Sequence, residues 1–290
     1  MYTAEAFEYD EIGKIDLTNI YDRPDPRSYY TTLRRLKYMI PETAKPVFQN
    51  VIDAYRSIRN KRKVRIVDVG CSYGINAAML KGDLEMDQLY SLYTAEGTKT
   101  ARKDQLLARD RSFMNDVVKD EDLEVVGLDA SASAIKYAVE AKLLDDGVAA
   151  DLETAPPSPE VAAVLDDTDL VISTGCIGYV GEDTLKNLID VNAPRKPWMV
   201  HFVLRMFPFE GIQRVLGPMG YVTEKIRDQT FLQRRFASQD ERSHVLQRLD
   251  ELGIDPTGLE SEGWYHAEAF ISRPAEERSH LPVNAVEVLR

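Results

Sequence analysis

A short stretch between an apolar run and a helical run has the composition of a ligand-binding turn. Asp68 stands near the end of the apolar run at 64–69, Gly70 and Gly74 follow, and Asn76 lies at the start of the next helix. Glycine lets a backbone pass close to a ligand without a Cβ clash, and the free N–H groups of a helix start favour a carboxylate. Because Asp68 can accept from an ammonium group, the stretch predicts a site for an amino acid zwitterion.

A dinucleotide is the rival ligand for a turn between a strand and a helix. Counted from Gly70, the fingerprint G-x-G-x-x-G requires glycine at positions 72 and 75, where this chain has Ser72 and Ile75. A pyrophosphate would also be repelled by an acid two residues before Gly70. Both observations disfavour a dinucleotide.

Few other side chains are candidates for catalysis. Tyr179 is either a core residue or a pocket residue whose ring holds a cation. His201, within a predicted strand, is either a satisfied core histidine or a general base. We keep Tyr179 and His201 as the catalytic candidates. Cys71 and Cys176 have no obvious base beside them, and no residue spacing is typical of a metal site.

The elements that must position these residues alternate along the chain. Seven runs fit strands: 64–69, 123–129, 147–151, 169–173, 198–203, 221–226 and 265–272. Helical stretches separate most of them. This alternation predicts right-handed crossovers and an α/β fold with a doubly wound, mostly parallel seven-stranded sheet.

The domain organisation follows from the same pattern. We predict a catalytic domain at 61–273, preceded by a helical cap or lid at 1–60 and followed by a polar tail at 274–290. A crossover needs roughly a dozen residues, and the stretch at about 81–122 is several times longer, so it predicts a helical insert. In the cap, residues 25–30 either close over the ligand, with Tyr29 or Tyr30 touching it, or pack as an ordinary helix.

Composition and charge narrow the classes of partner. The chain has 290 residues, two cysteines and a net charge of −12. An acidic surface gains no counterion release from a phosphate backbone, which disfavours nucleic acid. No apolar run approaches the roughly 20 residues that span a bilayer, and the first residues do not resemble a signal peptide. We expect a cytoplasmic protein with a small-molecule substrate and no membrane partner; the oligomeric state stays open.

The sequence DVGCSYG at 68–74 resembles motif I of the class I S-adenosylmethionine-dependent methyltransferases, usually written acid-x-G-x-G-x-G, with Ser72 at the middle glycine. The resemblance extends over roughly residues 64–205. It implies a Rossmann-like methyltransferase fold and S-adenosylmethionine as cofactor. The product would be S-adenosylhomocysteine (SAH) or methylthioadenosine.

The resemblance also implies which residues bind the cofactor. Asp129 corresponds to the acid that takes both ribose hydroxyls, although Asp129 or Ser131 could also cap the following helix. Asp151 corresponds to an acid at the adenine amino group, with Leu152 packed on the ring. The sequence STGCIGY at 173–179 resembles the motif that lines the methyl-transfer site. With Tyr30 from the cap, the expected cofactor-binding set is Tyr30, Asp68, Gly70, Cys71, Ser72, Gly74, Asn76, Asp129, Ala130, Asp151, Leu152, Ser173, Thr174 and Gly175.

Three functions are compatible with these residues. The first is methyl transfer to a small-molecule acceptor, for example in secondary metabolism, where the protein mainly supplies proximity and orientation. The second is cyclisation of S-adenosylmethionine on itself, for instance to azetidine-2-carboxylate with release of methylthioadenosine. The third is a non-catalytic binding module, against which the intact Asp68, Gly70, Gly74 and Asp129 argue. We expect the first.

Overall fold

The structure, a computed structural model, describes residue 20 and residues 22–280. Its strands are β1 Val64–Val69, β2 Leu123–Asp129, β3 Asp146–Ala149, β4 Leu170–Thr174, β5 Trp198–Leu204, β6 Tyr221–Lys225, β7 Phe231–Arg235 and β8 Trp264–Pro274. Its helices are α1 Arg27–Arg35, α2 Ile40–Arg59, α3 Ile75–Gly82, α4 Met86–Thr94, α5 Glu96–Lys99, α6 Lys103–Val117, α7 Ala132–Glu140, α8 Pro159–Leu165, α9 Glu182–Val191, α10 Glu210–Leu216 and α11 Gln239–Glu251.

The strands form one sheet in the order β3-β2-β1-β4-β5-β8-β6. Strands β1 to β5 pair in parallel, and β8 is antiparallel to β5 and β6. The predicted doubly wound, mostly parallel sheet is confirmed. An eighth strand, β7, was not predicted; it pairs with β8 beside the seven-strand path. The order reverses between β1 and β4, and in open α/β sheets ligands bind outside the carboxyl ends of the strands at such a switch point.

Helices cover both faces of the sheet because consecutive residues of its strands are apolar on both sides. Ile66 of β1 belongs to a core with Val47 and Val51 of α2, whereas its neighbour Val67 belongs to a second core with Leu188 of α9. A strand that is buried on both faces has this near-continuous apolar character. The sheet is thereby packed between helices on both faces, and side chains of the site stand at its carboxyl edge.

The predicted N-terminal cap shares the core of the main domain. The ring centroid of Phe48 in α2 lies 5.1 Å from that of Phe202 in β5, and Tyr55 lies 5.5 Å from Trp198. Helix α1 packs against α4 of the insert. The parts of the predicted cap at 1–19 and 21 lie outside the described residues.

The beginning of the predicted polar tail is packed. Strand β8 continues to Pro274 and a 3₁₀ helix follows at Ala275–His280. Within it, Glu277 accepts a hydrogen bond from Trp198 Nε1 at 2.6 Å. Residues 281–290 lie outside the described range. None of the described helices combines the length and the apolar character that crossing a membrane requires.

Candidate functional site

A cavity of about 820 Å³ lies at the carboxyl edge of the sheet, at the switch point between β1 and β4. Sites for small molecules commonly have volumes of about 300–1,000 Å³. Among the predicted site residues, those that line it are Gly70, Cys71, Ser72, Asn76, Asp129, Ala130, Asp151, Leu152, Thr174, Gly175 and Tyr179. The structure therefore brings most of the predicted set to one place.

The turn after β1 has a left-handed backbone at alternate residues. The φ angles are +68° at Gly70, +49° at Ser72 and +76° at Gly74. A Cβ on Gly70 would lie 2.7 Å from Cβ of Cys176, so a side chain there would force the loop after β4 away. Ser72 adopts the conformation that glycine provides most easily. The chain therefore keeps a glycine-type turn geometry at Ser72.

Asp129 ties the end of β2 to this turn. Its Oδ2 accepts a hydrogen bond from the backbone N–H of Ser72 at 2.8 Å, and its Oδ1 accepts from Ser131 N at 2.9 Å. The helix cap is Ser131, whose Oγ accepts from Ala134 N at 3.1 Å. Two carboxylate oxygens offer about four acceptor positions. Asp129, at the cavity wall, thus keeps capacity to accept from ligand hydroxyls.

Asp68 lies behind the cavity wall. The side chain is fully buried, and its Oδ1 accepts from Asn76 Nδ2 at 3.0 Å. Asn76 Nδ2 is also 3.1 Å from Thr174 Oγ1, and both of these residues line the cavity. Burial raises the pKa of Asp68 to about 7, although the Asn76 hydrogen bond acts in the opposite direction. This placement argues against the expected direct contact between Asp68 and a ligand ammonium, because Asn76 lies between Asp68 and the cavity.

Three buried oxygens at this end of the cavity have no hydrogen-bond partner within the described part of the chain. They are Asp68 Oδ2, Asn76 Oδ1 and Ser72 Oγ. Buried polar atoms are nearly always hydrogen-bonded, so such a cluster calls for an explanation. Since all three can act as acceptors, a donor group fits the cluster best.

Asp151 and Leu152 occupy the rim on the side of β3. Asp151 is exposed and accepts from Glu153 N at 3.0 Å and from Thr154 Oγ1 at 2.9 Å. The Thr154 hydrogen bond holds the pKa of Asp151 below its ordinary value. Leu152 is buried and lines the cavity. An acceptor and an apolar surface therefore lie side by side.

Four other predicted site residues lie outside the lining that the described residues form. Tyr30 is fully buried, with its ring stacked on Tyr93 at 4.2 Å, and Tyr29 lines the cavity in its place. Gly74 faces away from the cavity, because a Cβ there would contact Leu144 of the core. Ser173 and His201 are the remaining two.

His201 is a core residue. It is fully buried, and its Nδ1 lies 2.8 Å from Ser173 Oγ. Burial lowers the pKa of His201 to about 3, so the ring stays neutral near pH 7. The placement argues against the catalytic interpretation of His201 and against a cofactor contact for Ser173. Tyr179 differs: its side chain is 51% exposed and lies at the cavity wall.

Two residues that line the cavity, Gln233 and Arg234, were not predicted from the sequence. They are consecutive residues of β7, and in a regular strand they would point to opposite faces. The pairing of β7 with β8 is irregular between Leu232 and Arg235, and a bulge of this kind re-aims side chains. The side-chain amide of Gln233 lies so close to Gly175 that a Cβ on residue 175 would overlap it.

Arg234 is buried beside the cavity and is paired with Glu241, with Nη2 and Oε1 2.7 Å apart. Its guanidinium also lies over the ring of Tyr265, 4.7 Å from the centroid. The positive charge is thus largely balanced where it meets the cavity. The charged residues around 231–235 hide the strand character of β7, so no local sequence signal predicts that this strand lines the cavity.

No protein-family model and no curated protein matches the sequence. Several solved structures align with most of the chain. The plantazolicin methyltransferase BpumL in complex with SAH is 13% identical over 89% of this chain and 93% of its own, with a TM-score of 0.43. Magnesium protoporphyrin IX methyltransferase from Synechocystis PCC 6803, with bound S-adenosylmethionine, is 10% identical over 84% of each chain, with a TM-score of 0.40.

A TehB-like S-adenosylmethionine-dependent methyltransferase from Corynebacterium glutamicum is 17% identical over 77% of this chain and 92% of its own, with a TM-score of 0.35. These alignments are too distant to carry a function to this chain. Its own strand order establishes what it is: a doubly wound α/β protein with a ligand-sized cavity at the switch point of the sheet.

Proposed function

We propose that the protein is an S-adenosylmethionine-dependent methyltransferase that acts on a small molecule. One observation carries the proposal. Asp129, at the end of β2, and the left-handed turn after β1 are joined through Ser72 N at the switch point of the sheet. This places an acid suited to two ribose hydroxyls next to a turn suited to an amino acid head group.

The head-group end of the cavity suits the methionine part of the cofactor. An ammonium group supplies the donor that Asn76 Oδ1 lacks, and Asn76 lines the cavity in front of Asp68. The first turn of α3, which begins after Gly74, presents backbone N–H groups that favour the carboxylate. The chain's own acceptors and donors at this end therefore match a zwitterion.

Further along the cavity, Asp129 would hold the ribose, and Asp151 with Leu152 would take the adenine. When it is bound, S-adenosylmethionine supplies a methyl group that is already activated for transfer. The task of the protein is then to hold the acceptor in line with that methyl group and to exclude water. Thr174 and Gly175, which line the cavity at the end of β4, leave space at this position.

The size and lining of the cavity support a second substrate and so favour methyl transfer over cyclisation. A cavity of about 820 Å³ lies near the upper end of the range for small-molecule sites. Tyr29, Leu33 and Tyr38 line the cavity, and so does Gln233 of β7. These walls suit an acceptor with an aromatic or apolar body. Tyr179, at the exposed rim, is the side chain that we propose to contact the reacting groups.

The proposal is tested by the products formed from S-adenosylmethionine. The protein is incubated with the cofactor alone, and then with a protein-free extract of low-molecular-weight metabolites. We expect SAH to appear only with the extract. Methylthioadenosine formed without any acceptor would instead establish cyclisation, and no turnover together with no cofactor binding would leave a non-catalytic module. The cytoplasmic location and the exclusion of nucleic acid stay predictions.

A further inference from the structure

Tyr73 stands inside the ligand-binding turn, yet its side chain points away from the cavity. It lies between Ser72 and Gly74, and its ring is completely buried. The ring makes edge contacts with Tyr29, 5.6 Å between centroids, and with Tyr137, 6.2 Å between centroids. An aromatic side chain of the turn therefore lies against the N-terminal segment, residues 22–26.

The Tyr73 hydroxyl is bonded to the backbone of that segment. Its oxygen accepts from Arg23 N at 3.1 Å, and the hydroxyl donates to Arg23 O at 2.9 Å. The carbonyl of Ile20 is a second acceptor within reach, at 3.3 Å. Burial raises the pKa of Tyr73 to about 12, so the hydroxyl keeps its proton near neutral pH. One side chain thus satisfies both backbone groups of Arg23.

The segment that Tyr73 holds, residues 22–26, reaches the cavity at one end. Asp22 lines the cavity, and its Oδ1 accepts from Ser131 Oγ at 3.2 Å. At the other end, Arg27 is paired with Asp25 at 2.8 Å and donates to the carbonyl of Ala101 in the insert at 3.0 Å. The segment is therefore fixed at its far end by the insert and at its near end by Tyr73.

We propose that Tyr73 is a positioning residue that couples the ligand-binding turn to closure of residues 22–26 over the cavity. This rests on the proposed function, because the ligand that orders the turn is the cofactor. Tyr73 follows Ser72, whose backbone N–H is bound to Asp129, so a ligand that orders Asp129 and the turn also fixes the Tyr73 hydroxyl. By linkage, closure of the segment strengthens binding of that ligand. A segment closed over the cavity also obstructs the exit of the ligand and so slows its release.

The test compares Tyr73→Phe with Tyr93→Phe. Tyr93 is a matched control because its buried hydroxyl also makes a hydrogen bond, to Asp110 at 2.7 Å, but not to the N-terminal segment. The probe is SAH. We expect Tyr73→Phe to raise the SAH dissociation rate constant about three- to tenfold, the effect of losing one or two hydrogen bonds. Tyr93→Phe should leave it unchanged.

A second readout follows the segment itself. In the wild type, amide hydrogen exchange of residues 22–30 should slow when SAH is added, and this protection should be lost in Tyr73→Phe and kept in Tyr93→Phe. The wild-type measurement needs no variant to fold. Unchanged exchange of residues 22–30 in the wild type on adding SAH would overturn the coupling.

Other outcomes separate this inference from the proposed function. Equal acceleration of SAH release by both variants would show a general packing effect and would also overturn the coupling. Tight SAH binding by the wild type with normal release from Tyr73→Phe would overturn the coupling alone. A wild-type protein that does not bind SAH would overturn the proposed function and the coupling with it.

Discussion

Asp68 and Asn76 form a buried pair, with Oδ1 of the acid 3.0 Å from Nδ2 of the amide, and Asn76 alone of the two faces the cavity. The acid therefore acts on a ligand through the amide. It fixes the orientation of Asn76, which in turn contacts Thr174. The acid at this position therefore orients a cavity-lining side chain, in addition to contributing its charge.

The pH dependence of stability should report the burial of Asp68. Burial raises its pKa from 3.8 to about 7, so between these values the folded protein retains a proton that the unfolded chain has released. The cost of burial therefore grows as the pH rises and is complete above about pH 7. We compare the free energy of unfolding of Asp68→Asn with that of the wild type. The difference between them should shift in favour of Asp68→Asn by on the order of 2 kcal/mol as the pH rises from about 5 to about 8.

Chemical denaturation at the two pH values measures this difference. Asp151→Asn is the control, because Asp151 is exposed and the pKa shift of its carboxyl is downward. It should leave the slope above about pH 5 unchanged. Parallel stability curves for Asp68→Asn and the wild type would show that Asp68 is ionised in the folded protein and would refute the account of its burial.

The left-handed conformation of Ser72 makes a prediction about glycine. Ser72→Gly should keep SAH affinity within about threefold, because glycine adopts a φ of +49° without strain. Ser72→Val should lose about 1–2 kcal/mol of stability, since a β-branched residue is strained there. Thermal melts and SAH titrations of both variants decide the matter. Equal damage from the two substitutions would show that the serine side chain, and not the backbone shape, is what the turn needs.

His201 and Tyr179 should behave in opposite ways. His201→Leu leaves Ser173 Oγ without its partner and should lower the free energy of unfolding by about 1–3 kcal/mol. Its SAH affinity should be unchanged, because His201 does not reach the cavity. Tyr179→Ala should change stability by no more than about 0.5 kcal/mol, as is usual for exposed residues, while methyl transfer falls. The reverse pattern would restore the catalytic interpretation of His201.

Local signals in the sequence were enough to predict the first half of the site. The turn at residues 70–74, Asp129 and Asp151 each stand at or just after the end of a short run with strand character, and the carboxyl ends of parallel strands meet at one edge of a sheet. Their convergence therefore needed no knowledge of distant contacts. Local signals did not predict which of two adjacent tyrosines lines the cavity. Tyr30 was expected and Tyr29 is found there, because the choice depends on how α1 is rotated.

The second half of the site depends on contacts that are distant in sequence. Gln233 faces the cavity because β7 is irregularly paired with β8 and because its backbone carbonyl accepts from Met39 N at 2.8 Å. Neither contact leaves a periodic pattern near residue 233. The burial of Asp68 behind Asn76 is likewise decided by how α3 docks on the sheet, which the motif does not specify.

The most direct test of the central claim is a calorimetric titration of SAH into the wild type and Asp129→Ala. We predict one site per wild-type chain and a loss of affinity of at least about tenfold in the variant, since two charge-assisted hydrogen bonds to a ribose are removed. Asp146→Ala, an exposed acid on β3 outside the cavity, should bind as the wild type does. Absence of binding to the wild type, or equal affinity in Asp129→Ala, would contradict the account.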